Sequence, residues 1–298
     1  MANEKAIANF KSILTDQPDV SPAIAALSTL LDFLSNDTSE TIQGLEKNIK
    51  SVVEGMNQVD CSVTSVKSAC ELFMRFITLS ALDHSDFKEC KEVLSVRGAV
   101  FLKRLINARA KIAKFGQTFI VDGVKILIHS HSRVVYETLL AAHAVHKKFH
   151  VYVTESAPDF SGKVMYEKLV KAGLSCTLIL DAAVSYVLEK VDLVFLGAEG
   201  VVESGGIINK IGSYNIAICA KEMHKPVYVL AESFKFMRLY PLNQMDLPNE
   251  LKHLCSRVNS AEHPLIDYTP PSYITLLLSD LGILTTSAVS DELIKLYM

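Results

Sequence analysis

The spacing of apolar residues changes near residue 120, and this change constrains the fold of the 298-residue chain more than any other feature. Before that point, apolar residues recur every three or four positions, which is the period of a helix buried on one side. Ile42, Leu45, Ile49, Val52 and Met56 form one such stripe. After that point, short apolar runs alternate with helical segments. We therefore expect an all-helical part followed by a part in which strands and helices alternate.

The N-terminal part carries start signals and stripes of several helices. Ser21 and Pro22 combine a capping hydroxyl with a proline at the first helical position. A further stripe is formed by Val66, Cys70, Phe73 and Ile77. From Ser85 to about Phe119 the helical pattern continues without a proline. This uninterrupted pattern predicts one long helix that leads into the second part of the chain.

Five apolar runs in the second part predict strands. They are residues 124–128, 151–154, 176–180, 191–196 and 227–230. Runs without alternation are typical of strands covered on both faces, and the helices between them indicate a parallel sheet. The predicted fold class is α/β, with an N-terminal all-helical domain over residues 1–118 and a Rossmann-like domain with a mainly parallel sheet over residues 119–298. Residues 273–281, which follow Pro270 and Pro271, are predicted to form another helix.

The composition limits the partners and the compartment of the protein. Lys and Arg total 30 against 33 Asp and Glu, so there is no basic excess of the kind that nucleic-acid binding requires. No apolar run approaches the roughly 20 residues of a membrane helix, and the first residues lack the apolar core of a signal peptide. The six cysteines contain no C-x-x-C pair and indicate reduced thiols. We expect a protein of the cytosol, with no nucleic-acid or membrane partner.

The segment after the first predicted strand has the ingredients of an anion site. Ligands of open parallel sheets bind beyond the carboxyl ends of the strands, where residues 129–133 read H-S-H-S-R and open a helix. Hydroxyls and free N–H groups at a helix start favour a phosphate, and Arg133 adds charged donors. The plainer alternative is that Ser132 caps the helix while Arg133 is solvated. His129 and His131 have no third partner at metal-ligand spacing, so no metal site is predicted.

The glycine-rich segment 197–213, G-A-E-G-V-V-E-S-G-G-I-I-N-K-I-G-S, follows the fourth predicted strand. It places Glu199, Asn209 and Lys210 at the same edge of the sheet, where a lysine suits a phosphate and an asparagine suits a sugar hydroxyl. An ordinary solvated loop is the alternative. The segment is not G-x-G-x-x-G, which argues against a dinucleotide-dependent oxidoreductase.

Segment 197–213 resembles the box G-A-D-x-x-x-x-N-G-x-x-x-N-K-I-G-T of the aldose-ketose isomerases that act on methylthioribose 1-phosphate and ribose 1,5-bisphosphate. An altered form of that box is found in the regulatory subunits of eukaryotic translation initiation factor 2B. Further segments that resemble this family are residues 40–45, 75–79, 129–135, 151–163, 231–236 and 241–244. The tail L-G-I-L-T-T-S-A-V-S-D-E-L-I-K-L-Y is most similar to the alpha branch of the regulatory subunits.

The resemblance places the isomerases' catalytic cysteine at Ser130 and their catalytic aspartate at Glu199. A serine hydroxyl without an activating base is a poorer proton donor than a thiol, whose pKa is about 8.5. The longer glutamate displaces its carboxylate, and catalysis is sensitive to displacements of about 1 Å. Ala157, Ser161 and Val164 stand where the family carries two arginines and a glutamine. These departures imply a pocket without catalytic residues.

The pocket implied by the resemblance binds a phosphorylated sugar or a nucleoside monophosphate, and no cofactor is required. Its phosphate would be held by Ser130, Ser132, Arg133 and Lys210. Asn209 and Glu199 would lie near the sugar. The alternative is an active sugar-phosphate isomerase in which Ser130 and Glu199 replace the cysteine and the aspartate.

The resemblance also implies a regulatory subunit of the factor that exchanges guanine nucleotide on translation initiation factor 2. Such a subunit is expected to form a homodimer, to join the beta, gamma, delta and epsilon subunits into a decamer, and to help sense the phosphorylated alpha subunit of initiation factor 2. Residues 234–247 supply apolar side chains either for the homodimer or for the protein's own core. Candidates for pairing with the phosphoserine are Lys47, Lys50, Lys67 and Arg75.

Overall fold

The computed structural model describes residues 2–17, 20–59, 63–82, 87–248 and 264–297. These residues form two compact units, one made mainly of the chain up to Asn107 and the other of Ala108–Lys295. The α/β fold class is confirmed, with helices first and a mostly parallel sheet after them. The division at residues 118 and 119 stays a prediction.

The first unit is built from helices. They are α1 (Ala2–Asp16), α2 (Pro22–Asn36), α3 (Ile42–Met56), α4 (Val63–Leu82) and the first part of α5 (Phe87–Gly116). Ser21 caps α2 by accepting a hydrogen bond from the Ile24 N–H, with Pro22 at the first helical position as predicted. The predicted stripe of α3 is its buried face. The predicted long helix is confirmed over the 30 residues of α5, and its expected start at Ser85 lies outside the described residues.

The second unit alternates strands and helices. In chain order they are β1 (Lys125–His129), α6 (Arg133–Ala144), β2 (His150–Thr154), α7 (Ser161–Lys171), β3 (Cys176–Ile179), α8 (Val184–Leu188), β4 (Leu193–Gly197), β5 (Gly200–Val202), β6 (Ile207–Lys210), α9 (Ser213–Glu222), β7 (Val227–Leu230), β8 (Phe236–Met237), β9 (Ile266–Thr269), β10 (Leu276–Ser279), β11 (Gly282–Leu284) and α10 (Ala288–Tyr297). All five predicted strands are present, as β1, β2, β3, β4 and β7.

The larger sheet has seven strands in the order β11-β10-β7-β4-β1-β2-β3. All neighbouring pairs are parallel except the antiparallel pair of β10 with the edge strand β11. Core side chains such as Ile126, Ile128 and Phe195 are buried, which is why the strand sequences do not alternate. The chain leaves β1 toward β2 on one side and returns to β4 on the other. The rule for open parallel sheets therefore predicts that a ligand would bind at the carboxyl ends of β1 and β4.

The predicted helix over residues 273–281 is wrong. After a short 3₁₀ turn at Pro271–Tyr273, the chain forms strand β10, which lies parallel to β7 with Leu277 opposite Val229. Three consecutive leucines from residue 276 to 278 are compatible with a buried helix or a buried strand. The segment forms a strand because the edge of β7 offers backbone N–H and C=O groups with which it can form hydrogen bonds.

A second sheet, in the order β8-β5-β6-β9, was not predicted. It is built on an antiparallel hairpin of β5 and β6 inside the glycine-rich segment. At the hairpin turn, Gly205 has a φ of 83°, and a Cβ atom there would overlap the carbonyl of Thr286. Glycine is therefore required at the turn, both for its backbone conformation and for its close approach to the chain before α10.

The helices in the described parts of the chain include none that is both long and apolar enough to cross a membrane.

Candidate functional site

The imidazole of His129 connects three elements at the carboxyl end of β1. Its Nε2 lies 2.9 Å from the carbonyl oxygen of Ile211, and its Nδ1 lies 2.6 Å from Oγ1 of Thr154. Because a carbonyl only accepts, Nε2 carries the proton and Nδ1 accepts from the threonine hydroxyl. Burial lowers the pKa of His129, which keeps the ring neutral. The ring thus links β1, β2 and the turn between β6 and α9. The described residues contain no group of three side chains suited to holding a metal ion.

Ser130 follows β1 in a left-handed backbone conformation, with a φ of 61°, and is buried. Its Oγ lies 2.7 Å from Oγ of Ser161. The Ser161 hydroxyl donates its proton to Oδ1 of Asp159 at 2.8 Å, so Ser130 must be the donor in the contact between the two serines. The hydroxyl of Ser130 therefore donates to Ser161, and the hydroxyl of Ser161 donates to the carboxylate of Asp159.

Lys210, at the end of β6, lies between two carboxylates. Its Nζ is 3.0 Å from Oδ2 of Asp159 and 3.8 Å from Oε1 of Glu199. Burial raises the pKa of Asp159, but the hydrogen bonds from Ser161 and the charge of Lys210 outweigh it and hold that pKa below its ordinary value. The side chain of Lys210 is 28% exposed, so a ligand can reach it. The structure thus brings together Glu199 and Lys210, two of the predicted site residues, and it adds Asp159.

Ser132 and Arg133 lie at the start of α6. Oγ of Ser132 accepts from the Val135 N–H at 3.4 Å, so this hydroxyl caps the helix. A Cβ atom at Gly197 would lie 2.5 Å from that oxygen, which shows how closely the end of β4 approaches the cap. Arg133 is the first helical residue and is partly exposed. Both residues lie where β1 and β4 separate, and their contact with a phosphate stays a prediction.

Asn209 is buried in β6 and stabilises the entry into α9. Its Nδ2 donates to Oγ of Ser213 at 2.8 Å, and that hydroxyl donates to the carbonyl of Lys210 at 2.7 Å. The expected contact of Asn209 with a sugar stays a prediction.

Asp267 of β9 occupies the N-terminus of α9. Its Oδ2 accepts from the N–H groups of Gly212 at 2.8 Å and Tyr214 at 3.0 Å. Burial raises the pKa of this carboxyl to about 7, in spite of those hydrogen bonds. Gly212 has a φ of 103°, and a Cβ atom there would come within 3.1 Å of the His129 ring. The Lys210 segment is therefore fixed from two sides, by His129 and by Asp267.

A buried charge network fixes the residue that precedes Glu199. Glu232 binds Nε of Arg109 at 3.1 Å and Nζ of Lys235 at 2.8 Å, and Lys235 donates to the carbonyl of Ala198 at 2.8 Å. Burial raises the pKa of Glu232, but Lys235 and Arg109 outweigh it and bring that pKa to about 2. The network thus holds the backbone beside Glu199 through the hydrogen bond from Lys235.

The loop between β2 and α7 contributes residues that the sequence prediction missed. Asp181, after β3, accepts from the N–H groups of Ser156 at 2.9 Å and Ala157 at 2.7 Å. This anchoring presents Asp159 and Ser161 to Ser130 and Lys210. The available signal was position, because the loop follows a predicted strand at the ligand edge of the sheet. Where the isomerases carry their second arginine, Val164 is 49% exposed.

The fold and the site define a class of protein: a Rossmann-like α/β unit, preceded by helices, with a cluster of polar side chains at the switch point of a parallel sheet. A sequence model described as the "Initiation factor 2 subunit family" matches residues 16–286. The chain belongs to this family, which confirms the resemblance drawn from its motifs.

Relatives align along most or all of the chain. It is 43% identical over 305 residues to "Translation initiation factor eIF2B subunit alpha" of Caenorhabditis elegans, with 100% of both chains covered. It is 44% identical over 308 residues to the protein of that name from Dictyostelium discoideum, with 98% of this chain and 96% of the relative covered. A ribose 1,5-bisphosphate isomerase of Archaeoglobus fulgidus is 29% identical over 267 residues, with 86% and 82% covered.

A solved structure supports the fold independently. A chain of the tetrameric eIF2B-beta2-delta2 complex from Chaetomium thermophilum superposes with a TM-score of 0.80 and 20% identity, with 99% of this chain and 95% of that chain covered. At this identity the likeness concerns the fold alone.

Proposed function

We propose that the chain is a non-catalytic regulatory alpha subunit of the factor that exchanges guanine nucleotide on translation initiation factor 2, and that it acts in the cytosol. The observation that carries the proposal is 43% identity over the full length to a relative with the name eIF2B subunit alpha. The exchange chemistry belongs to another subunit. The test is co-purification of the tagged protein with the beta, gamma, delta and epsilon subunits and with initiation factor 2. Recovery of the protein without any of these subunits would contradict the proposal.

The proposed assembly role requires a homodimer that joins two sets of the other subunits into a decamer. Of the apolar segment considered above, Phe234 and Phe236 are buried in the protein's own core. Tyr240, Leu242 and Met245 are 64%, 76% and 82% exposed. Exposed apolar patches on a protein surface commonly mark interaction sites, so these three side chains support the dimer.

Sedimentation velocity at micromolar concentration tests the dimer. Leu242→Asp is expected to shift the boundary from dimer to monomer, because a charge would be buried at the interface. Leu281→Asp, at another exposed leucine outside the segment, is the control. A wild-type protein that sediments as a monomer would contradict the assembly role.

The proposed sensing role places the phosphorylated alpha subunit of initiation factor 2 against the helical part. Lys47 and Lys50 are exposed on α3 and lie three residues apart, on neighbouring positions of one helix face. Replacing both by glutamine is expected to reduce the preference for phosphorylated over unphosphorylated initiation factor 2 in a pull-down with the assembled complex. An unchanged preference would exclude these two lysines.

The crevice at β1 and β4 is proposed to bind a phosphorylated sugar or nucleoside monophosphate without converting it. Ser130, Ser132, Arg133 and Lys210 are proposed to hold the phosphate, with Glu199 and Asn209 near the sugar. Calorimetric titration with a panel of sugar phosphates and nucleoside monophosphates tests the pocket. No heat and no thermal shift with any of them would argue against it.

An active isomerase is the second candidate, favoured by the 29% identity to the ribose 1,5-bisphosphate isomerase. The hydrogen bonds from Ser130 to Ser161 and from Ser161 to Asp159 argue against it. A carboxylate with a lowered pKa, as in Asp159, is a weak base at neutral pH and activates Ser130 poorly. Turnover of ribose 1,5-bisphosphate that is lost in Ser130→Ala and Glu199→Ala would favour the isomerase.

A further inference from the structure

The carboxylate of Asp159 occupies donors of the kind that bind a phosphate. Its Oδ2 contacts Nζ of Lys210 at 3.0 Å, and its Oδ1 accepts from the Ser161 N–H at 3.0 Å and the Ser161 hydroxyl at 2.8 Å. A cationic amine, a backbone N–H group and a hydroxyl are also the usual partners of a phosphate oxygen. The carboxylate thus holds Lys210, the side chain proposed to bind the ligand.

The structure assigns to Asp159 the role of a built-in competitor: its carboxylate must leave Lys210 when the phosphate of a ligand binds there. The inference rests on the proposed pocket and describes how occupation of that pocket is controlled. The affinity for a phosphorylated ligand then depends on how much more favourably Lys210 interacts with the phosphate than with the carboxylate of Asp159. Binding would separate the β2–α7 loop from the end of β6, which Asp159 now joins.

The surroundings of Asp159 fit a competitor with a fixed charge. Its pKa lies below the ordinary value, so the carboxylate remains ionised at neutral pH. Glu199 is the more distant partner of Lys210, at 3.8 Å. The loop that carries Asp159 is anchored on one side by Asp181 and on the other by α7, and two of its residues, Ser156 and Phe160, have positive φ angles. Asp159 therefore sits on a short segment between fixed ends.

The test compares the wild-type protein with Asp159→Asn by isothermal titration, using inorganic phosphate, ribose 5-phosphate and ribose. Asparagine keeps the shape and can still accept from Ser161, but it lacks the charge that opposes a phosphate. Both phosphates are expected to bind the variant about tenfold more tightly, because a charge-assisted contact to Lys210 is no longer contested. The control is Glu155→Gln, which removes another negative charge from the same loop. The carboxylate of Glu155 lies 3.7 Å from Nζ of Lys163. The affinities of this control are expected to equal those of the wild type.

A second measurement needs no ligand. Acetylation of Lys210 by a small reagent, followed by mass spectrometry, is expected to be faster in Asp159→Asn than in the wild type or in Glu155→Gln. Asp159→Ala, which removes the carboxylate altogether, should act in the same direction as the asparagine variant in both measurements. Circular dichroism confirms that each variant is folded.

The outcomes separate the inference from the proposed function. If the wild type binds the phosphates and the asparagine variant binds them equally or more weakly, the inference is overturned and the pocket stands. Weaker binding of ribose by the variant would mean that Asp159 contacts the sugar, which also overturns it. If neither protein binds any phosphate, the proposed pocket fails and the inference fails with it. An unchanged rate of acetylation would overturn the competition for Lys210.

Discussion

Replacing Asp267 by asparagine is expected to stabilise the protein above neutral pH. The carboxyl group is buried at the N-terminus of α9, and its Oδ1 has no hydrogen-bond partner within the described part of the chain. The hydrogen bonds that Oδ2 accepts from two N–H groups replace only part of the hydration that the carboxylate loses on burial. For this reason burial dominates and raises the pKa from an ordinary 3.8 to about 7.

The sign of the effect follows from proton binding. Between pH 3.8 and about 7, the unfolded chain has released the proton of Asp267 while the folded protein retains it. Raising the pH through this range therefore favours the unfolded state. At about 1.4 kcal/mol for each pKa unit, the folded wild type has lost about 4 kcal/mol by pH 8. Asparagine carries no proton to lose and can still accept the two backbone hydrogen bonds.

Urea unfolding of the wild type and Asp267→Asn at several pH values between 4 and 8 measures the effect. The free energy of unfolding of the variant should exceed that of the wild type at pH 8, and the difference should shrink as the pH falls toward 4. A difference that does not change with pH would refute the raised pKa. A variant less stable than the wild type at pH 8 would show that the hydrogen bonds of Oδ2 outweigh burial.

Three further substitutions test other parts of the structure. Glu232→Gln removes the carboxylate that binds Lys235 and Arg109, while Arg109 keeps Glu137 at 3.7 Å, and it is expected to cost about 3 kcal/mol in urea unfolding at pH 7. Because the pKa of Glu232 is lowered to about 2, the cost should diminish as the pH falls from 4.5 toward 2. If the wild type is no more stable than Glu232→Gln at pH 7, the ion pairs of Glu232 do not stabilise the protein. Gly197→Ala places a Cβ atom 2.5 Å from Oγ of Ser132 and should cost about 1–3 kcal/mol in the same assay; no cost would mean that the start of α6 yields easily. Ser21→Ala removes the cap of α2 and should cost about 1 kcal/mol, measured by thermal unfolding, with Ser21→Thr as a control that retains the cap.

Those features of the fold that depend on local pattern could be predicted from the sequence. Buried parallel strands such as β1 and β4 have runs of apolar residues at their centres, and the capped helices α2 and α6 have the expected residues at their starts. Strand β10 could not be predicted in the same way, because its three leucines fit a helix equally well and only the edge of β7 selects the strand. The hairpin of β5 and β6 was missed because its strands have only three and four residues, and the two glycines between them are typical of a loop.

The candidate site was partly predictable for a similar reason. Ser130, Glu199 and Lys210 follow predicted strands, and the rule for ligand positions in parallel sheets selects them. Asp159 was missed although its segment was recognised, because nothing in the spacing reveals that its carboxylate reaches Lys210 across the crevice. Asp267 belongs to a strand of the second sheet, and its contact with α9 spans more than 50 residues of sequence.

The close approach of Gly205 to Thr286 has a consequence for the order in which the protein matures on the ribosome. The hairpin that carries Lys210 pairs with β9 and packs against the backbone just before α10, so the residues that support it are synthesised after the hairpin itself. Because nascent chains emerge from the N-terminus onward, the helices and the first strands can assemble while this wall of the crevice still lacks its neighbours. A nascent chain that ends before β9 would contain the Lys210 segment without the strand that pairs with it, and the proposed pocket would be complete only after β9 and the residues before α10 have been synthesised.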